Sequence, residues 1–415
     1  MITEAENNRL TQVGPGTPMG ELLRRYWQPI LPKADLDRDQ VTPIRLLGEN
    51  LVLYKNLRGE MGLVQERCPH RSASLAYGLP EADGIRCPYH GWKFSSEGAC
   101  LDQPFEETVG NSGFKNHIRI AAYPVQELCG VVFAYLGPQP APLLPRWEPL
   151  VKEDQIRQIN VMDLPINWLH AKENNLDPMH FDYLHVAQGN YWAERLGKPQ
   201  FMRPIKHLDI AFDVYEYGIM KRRLLEGEDP ETSVDWNVGH PAIFPNASGG
   251  GGMGWTVPLD DTHTRSIGIQ TRDRLPDEAP QPIDEIPIRT NSYQYPDGTY
   301  KVDQFNGQDP LAFVTQGAIA PRHLENLGRS DAGVLLFRNW LNENMDKVAR
   351  GEDPDGLVRD AARNEPFIPV PGTGNHRLAA ARPVDLEESK NPLVNAGAAW
   401  FSMLVDPDKQ SLTSS

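Results

Sequence analysis

Cysteine is scarce in this chain. Cys68, Cys87, Cys100 and Cys129 are the only four in 415 residues, too few for a small fold stapled by disulfides. Long apolar runs are missing as well. The stretch LCGVVFAYLG at 128–137 is about half the roughly 20 residues that a membrane helix needs, and it reads as a buried strand. Positive charge is also short, with 41 Lys and Arg against 56 Asp and Glu and a net charge of −15. That balance argues against nucleic acid or an anionic membrane surface as the main partner. The opening MITEAENNRL has neither a basic n-region nor an apolar h-region, so no secretory signal is visible and a cytoplasmic protein is expected. In a reducing cytosol, cysteines serve as metal ligands or buried thiols.

The rest of the composition is that of a globular protein, 40% hydrophobic and 23% charged, and a mass of 46.6 kDa is enough for two domains with their own cores. Near the start, TPMGELLRRYW offers Thr17 as an N-cap and Pro18 at the first helical position. Met19, Leu22, Leu23, Tyr26 and Trp27 follow at helical spacing. From residue 42 onward, short alternating runs such as IRLLGENLVLYKN and GVVFAYLG, broken by Gly, Asn and Pro, predict a small antiparallel β domain. GPQPAPLLP at 137–145 marks a boundary. The division expected is therefore 1–41, 42–145 and 146–415. The last part mixes helix and strand patterns, with a helix predicted at GVLLFRNWLNENMDKVA.

Two stretches of the β region carry metal-ligand chemistry. CPHRSASLAYG gives Cys68-x-His70 and CPYHGWKF gives Cys87-x-x-His90, with sixteen residues between His70 and Cys87. Two thiolates and two imidazoles are the ligand set of a Rieske [2Fe–2S] centre. They also suit a tetrahedral zinc site. Zinc fingers, however, place a Cys pair before a His pair, whereas each loop here supplies one of each. That arrangement fits a cluster with both cysteines on one iron and both histidines on the other.

A second constellation lies in ENNLDPMHFDYLH, where Asp177, His180 and His185 fall within nine positions. Two His and one carboxylate on one face leave coordination positions open on a ferrous ion. Five residues are about 140° around an ideal α-helix, so the helix must bend, bulge or end between the two imidazoles. Asp177 and Pro178 read as a cap and first-position pair that starts the turn carrying His180.

With Gly91-Trp92 after His90, the two Cys/His loops resemble the Rieske domain of the ring-hydroxylating and O-demethylating non-haem iron oxygenases. ENNLDPMHFDYLH resembles that family's mononuclear-iron motif, and LENLGRSDAGVLLFRNWL resembles the segment carrying its last ligand. The match is best to the phthalate dioxygenase-like branch. The resemblance implies an α+β chain: a helical segment (1–41) packed on the catalytic domain, an antiparallel Rieske domain (42–145), and a catalytic domain (146–415) with a curved antiparallel sheet and surrounding helices. It implies a [2Fe–2S] cluster on Cys68, His70, Cys87 and His90 and a mononuclear Fe(II) on His180, His185 and Asp331. Asp177 would be a bridge from His180 to His90 of a neighbouring subunit, which requires a homotrimer or a stacked pair of trimers. O₂ is then the cosubstrate, and electrons come from NAD(P)H through a separate reductase.

The chain offers no nicotinamide site of its own. The one G-x-G-x-x-G match, Gly249, Gly251 and Gly254, is followed by WTVPLDD, which reads as strand and not helix. The four-cysteine pattern of a plant-type ferredoxin is missing too. Cys100 and Cys129 read as core thiols, Trp92 and Tyr89 as packing around the cluster, and Arg195, Lys198, Arg203 and Lys206 as a solvated basic face. A Rieske electron carrier is the alternative from another class, but it has no use for Asp177, His180, His185 and Asp331. Among enzymes, the expectation is O-demethylation of a methoxylated aromatic carboxylate, because VPLDDTHTRSIGIQ and the ENLGRSD segment resemble the O-demethylases of lignin-derived biaryl acids such as dehydrodivanillate. Ring hydroxylation of a phthalate-like acid is the alternative.

Overall fold

The computed structural model describes residues 2–111, 113–199 and 206–371. Arg203 and the C-terminal extension past residue 371 lie outside the described residues. Four antiparallel-rich sheets are joined by helices, a mixed architecture in which the expected α+β class is seen.

Two four-stranded sheets build the Cys/His region. One has Val41–Leu46, Glu49–Lys55, Met61–Gln65 and Ala122–Tyr123 in that order; the other has Leu79–Glu81, Gly84–Arg86, Lys93–Phe94 and Cys100–Asp102. They close on a core of their own, which includes Val52, Tyr54, Val64, Leu75, Ile85 and Phe94 with Cys68 and Cys87. LCGVVFAYLG becomes a hairpin, Val125–Leu128 paired with Val131–Ala134. Its turn residues Cys129 and Gly130 both have positive φ, 56° and 72°, the backbone a right-twisted two-residue hairpin needs.

A larger core ties Leu10, Leu22 and Leu23 of the N-terminal segment to Phe133 and to Val257 and Ile269 of an eight-stranded sheet. The order in that sheet is His207–Tyr215, Gly218–Leu225, His240–Ile243, Ala247–Gly249, Gly252–Asp260, His263–Asp273, Gln155–Leu164, Ile288–Thr290. All its pairings are antiparallel except the last. WTVPLDD lies in the Gly252–Asp260 strand, as its pattern indicates. Thr17 caps the helix Pro18–Leu23 by accepting from the Gly20 N–H. That helix ends before Tyr26 and Trp27, which are buried beyond it. The long helix runs Ala332–Ala349. Among the described residues no helix is long and apolar enough to cross a membrane.

The helix Trp168–Asn175 carries the chain into the second constellation, and charge fixes its position. Asn167 caps it. Glu173 accepts from Arg322 at 2.8 Å and from Arg338, on the long helix, at 2.6 Å. Arg338 also reaches Glu325 at 2.8 Å. Arg322 is fully buried, so its charge is compensated by protein alone. Burial by itself would raise the Glu173 carboxyl, but the two guanidinium groups outweigh it and hold it below the ordinary carboxylate range.

Removing one member of such a buried network strands the others, at a cost of about 3 kcal/mol or more. Glu173→Gln should therefore lower the urea midpoint clearly at pH 7. Because the folded carboxyl lies below its unfolded value of about 4.3, the stabilisation is fully present above that value and is lost as pH falls through the folded one. The gap between the midpoints of wild type and variant should narrow progressively when the titration is repeated at pH values falling below about 4.3. A gap that stays constant with pH would show that charge is not the anchor.

Candidate metal centres and the adjoining cavity

The two Cys/His loops are geometric twins. Cys68 N–H donates to the Ala73 carbonyl at 2.9 Å, and Ser72 N–H donates back to the Cys68 carbonyl at 2.9 Å. In the second loop, Cys87 N–H donates to the Trp92 carbonyl at 2.8 Å and Gly91 N–H donates to the Cys87 carbonyl at 3.1 Å. In both, the fifth residue of the turn takes positive φ, 58° at Ser72 and 78° at Gly91. Each turn holds its cysteine inward and its histidine outward: Cys68 and Cys87 are buried, and His70 and His90 are exposed. The two imidazoles face one another with centroids 4.4 Å apart.

The donor set fits a cluster with both thiols on one side and both imidazoles on the other. Burial, followed by the neighbouring Cys87, pushes the Cys68 thiol up to about 11. Only a bound cation would make that position favour the thiolate. Partial desolvation against its neighbours, followed by His70 and the Arg71 guanidinium, pushes His90 down, toward the neutral form a metal takes. Trp92 is buried and stacks on His70 at 4.6 Å. Tyr89 is 56% exposed and touches His90 from outside, with centroids 3.8 Å apart. It packs on that imidazole from the solvent side.

At the second constellation, the wider turn that the five-residue spacing requires is a π-helix, Phe181–Ala187, entered directly from His180. A helix hydrogen-bonded between i and i+5 brings residues five apart onto one face. His180 and His185 accordingly lie with ring centroids 5.3 Å apart. Packing supports the widened turn: His185 stacks on Phe305 at 3.9 Å and 13°, and Asp182 holds His207 at 2.9 Å. Asp177 accepts from the Met179 N–H at 2.7 Å, the capping role read for the Asp177-Pro178 pair.

The carboxylate that meets the two imidazoles is Asp309, on the helix Phe305–Thr315. Its Oδ1 lies 3.1 Å from His185 Nε2 and 3.8 Å from His180 Nε2. One donor atom from each of the three residues lies within 4.8 Å of the others. Asp331 corrects the sequence expectation. It sits just before the long helix, where its Oδ2 accepts from the Gly328 N–H at 2.6 Å, and among the described residues it belongs to no such group. The carboxylate near Asp331 is Asp177, and the like charge adds to burial in raising Asp177 above its ordinary range. Asp309 was missed because it stands 124 residues after His185, in FNGQDPLAF, without a histidine beside it. Its one signal is an Asp-Pro pair like Asp177-Pro178.

Two amides surround this group. Gln308 Oε1 lies 2.9 Å from His185 Nδ1. As an acceptor it keeps the ring proton there and leaves Nε2 as the lone-pair face. Asn174 Nδ2 donates to Asp309 at 3.3 Å. Among the described residues, His180 Nδ1 is buried without a hydrogen-bond partner, 3.8 Å from Asp177 Oδ2. Burial pushes His180 down to about 3. Burial would raise Asp309, but His185 and His180 outweigh it and keep it ionised. Two imidazoles and one carboxylate on one side are donors of the 2-His-1-carboxylate kind.

A cavity of about 400 Å³ opens beside Asp309 and Asn174, walled by Phe305, Pro310 and Phe313 and by the concave face of the large sheet. Of the basic residues noted in the sequence, Arg195, Lys198 and Lys206 do not line it. Arg195 lies over Tyr191 and Trp192, Lys198 pairs with Asp303 at 3.1 Å and Lys206 with Glu226 at 3.0 Å.

A family model for the Rieske [2Fe-2S] domain matches residues 26–124. The chain is 42% identical over 402 residues, 96% of its length and 92% of the relative's, to the 5,5'-dehydrodivanillate O-demethylase oxygenase subunit of Sphingobium sp. (strain NBRC 103272 / SYK-6). It is 34% identical to the phenoxybenzoate dioxygenase subunit alpha of Ectopseudomonas oleovorans, over 84% of this chain and 87% of that one. In fold it is similar to NdmA of Pseudomonas putida CBB5, with a TM-score of 0.59 at 19% identity, covering 86% of this chain and 98% of that one. The chain belongs to the Rieske non-haem iron oxygenases, in the phthalate dioxygenase-like branch. It is the oxygenase component of a multicomponent system that holds an iron–sulfur cluster and a non-haem iron.

Gly91 tests the twin-loop geometry. A Cβ there would combine an unfavourable positive φ with a 3.2 Å approach to Pro104 Cγ. Gly91→Val should strain the second loop by about 1–2 kcal/mol. The purified variant should show less visible absorbance of the cluster per chain while its far-ultraviolet dichroism is unchanged. Full cluster content would show that the loop tolerates another backbone.

Proposed function

We propose that the chain O-demethylates a methoxylated aromatic carboxylate, with Cys68, His70, Cys87 and His90 as cluster ligands and with His180, His185 and Asp309 as ligands of the mononuclear iron. The observation that carries this reading is the convergence of Asp309 with two imidazoles on a widened helical turn, at the mouth of a cavity large enough for an aromatic acid. The cluster and the iron, when bound, supply single-electron transfer and O₂ activation.

The chain's own residues supply placement. Gln308 fixes the His185 tautomer, and the Phe305 face holds the ring's plane. The apolar wall of Phe305, Pro310 and Phe313 covers the reacting side of the cavity and limits water there. The overall reaction balances as ether methyl plus O₂, two electrons and two protons giving a hemiacetal and water. The hemiacetal then breaks its C–O bond, releasing formaldehyde and leaving the phenol. The electrons come from NAD(P)H through a separate reductase, because the chain's glycine-rich match runs into strand and has no nicotinamide-binding turn.

Asp177 is read as the link between centres on neighbouring subunits in a homotrimer or a stacked pair of trimers. The cluster imidazoles are exposed, as are Tyr77, Leu79 and Tyr89 of the same domain, and exposed Tyr183 lies in the widened turn that follows Asp177. Asp177 approaches His180 Nδ1 and leaves part of its carboxylate accessible, which suits a carboxylate shared by two imidazoles. The similarity to the O-demethylase subunit supports demethylation over ring hydroxylation, although the dioxygenase relatives share the same fold and family.

Three measurements test the reading. Asp309→Ala should lose the mononuclear iron and keep the cluster's visible spectrum, whereas Asp331→Ala should retain both; the reverse pattern would restore Asp331 as the ligand. Asp177→Asn should load both metals and lose most turnover, and normal turnover would remove its bridging role. With a compatible reductase and NADH, one methoxylated acid should yield nearly one formaldehyde per O₂ consumed. A plain aromatic acid gaining oxygen without formaldehyde would instead identify a ring hydroxylase.

A further inference from the structure

The floor of the cavity is polar, neutral and uneven. The His263–Asp273 strand alternates strictly, with Ile267 and Ile269 buried in the core and Thr264, Ser266, Gly268 and Gln270 facing the cavity. On the neighbouring strand Asn160 lies opposite Gly268. Asn160 Nδ2 donates to Gln270 Oε1 at 3.2 Å, and Asn291 Nδ2 donates to Asn160 Oδ1 at 3.3 Å. Asn291 is itself anchored by its main-chain N–H to the Val161 carbonyl at 2.8 Å. Asn160 therefore spends one donor and its acceptor on its two neighbours.

Among the described residues, the outer amide groups of Gln270 and Asn291 have no protein partner. One end of the row thus presents a donor and the other an acceptor. Reversing all three amides exchanges the ends but leaves one of each. Lys172 is the only cationic side chain lining the cavity among the described residues. Its Nζ is directed to the carbonyls of Ile243, at 2.8 Å, and Ala247. The floor therefore offers hydrogen bonds to neutral groups and no ready salt bridge.

Gly268 is the low point of the floor. It has no positive φ, and a Cβ placed on it would meet nothing nearer than the Met253 carbonyl oxygen at 3.9 Å. Neither the backbone nor close packing demands glycine there. The missing side chain instead leaves depth in the cavity beside Asn160.

We propose that the Asn160, Gln270, Asn291 row and the gap over Gly268 form the subsite that selects and orients the substrate: a phenolic hydroxyl donates to the acceptor end of the row, and the depth over Gly268 admits a second aromatic ring. This deepens, and rests on, the proposed demethylation of an aromatic acid. The hydroxyl fixes the ring's rotation, and with it the methoxy group that faces the Asp309 side. Because the row is neutral, it reads the hydroxyl as a hydroxyl and not as a phenolate.

The test is equilibrium binding to the holoprotein by calorimetry, which does not depend on turnover. The probes are the ring-linked dimer of 4-hydroxy-3-methoxybenzoate, the same dimer without its hydroxyls, and the monomer. Wild type should bind the dimer about tenfold or more tightly over its hydroxyl-free analogue. Asn160→Leu should bring those two within about threefold, and Gly268→Val should weaken the dimer about tenfold more than the monomer. If Asn160→Leu does not fold, Asn291→Leu, outside the regular strands, gives the same comparison. Wild type that binds the two dimers equally, or binds neither, overturns the proposal. So does an Asn160→Leu variant that weakens both alike. Formaldehyde release by wild type is read separately: its absence from every methoxylated acid would end the demethylase reading while the hydroxyl preference in binding still stood.

Discussion

Two imidazoles five residues apart can meet at one point only if the helix between them is wound more widely than an α-helix, and much of the catalytic half is arranged around that requirement. The widened turn at Phe181–Ala187 is intrinsically unfavourable and needs support from outside. It is held on both sides: the Phe305 ring lies flat on His185, and Asp182 is tied to His207 at the start of an edge strand of the large sheet. The helix that supplies Phe305 also supplies Gln308 and Asp309. One helix therefore supports the turn by stacking, sets the tautomer of His185 and completes the donor set, which makes the three functions inseparable in this fold.

Charge is distributed to serve this geometry. Behind the site, Glu173 gathers Arg322 and Arg338 into a buried network that fixes the helix leading to Asp177. Lys172, one residue earlier, points the other way and donates to carbonyls of the large sheet. Burial pushes it down to about 7. Neighbouring residues of one short helix thus fasten it to the long helix on one side and to the sheet on the other. The cavity in front receives almost none of this charge. Its floor consists of small side chains and amides, whose hydrogen bonds are directional but carry no field strong enough to compete with the charges of a metal site.

How much of this could be read in the sequence depended on distance along the chain. The Cys68/His70 and Cys87/His90 pairs are local, and each pair defines its own turn, so their spacing alone announced a shared centre. The spacing of His180 and His185 announced that the helix could not be regular, though whether it would bend, bulge or end was not legible. The form it takes depends on Phe305 and His207, which are remote in sequence. Asp309 was illegible for the same reason: a carboxylate contributed by a distant helix has no periodic or local mark. Asp331 looked better placed because it precedes a strongly patterned helix, but its carboxylate turns back to accept from the Gly328 N–H and makes no cap bond to that helix. Tyr89 and Trp92 both pack on the ligand imidazoles but from different sides. Aromatic residues beside a ligand suggest such packing, and because adjacent residues on a tight turn point to opposite sides, only Trp92 faces inward.

The twin loops and the catalytic pocket pose opposite electrostatic problems. At the loops the thiols are inside and the imidazoles outside, so that charge on the sulfur side is isolated from water while the imidazole side is available for contact. At the pocket the imidazoles are withdrawn, His185 almost completely at 1% exposure, and the carboxylates of Asp177 and Asp309 are the more accessible groups. Asp177 is raised by burial and by the like charge of Asp331, against the pull of Lys221 and of the Met179 N–H. A carboxylate balanced in this way holds its charge less firmly than a surface aspartate does. It would gain from any additional hydrogen-bond donor brought to its open side. An outward-facing imidazole is such a donor. The homotrimer proposed above would meet both needs together, by setting the exposed imidazoles of one copy's loops against the Asp177 carboxylate of another copy's pocket.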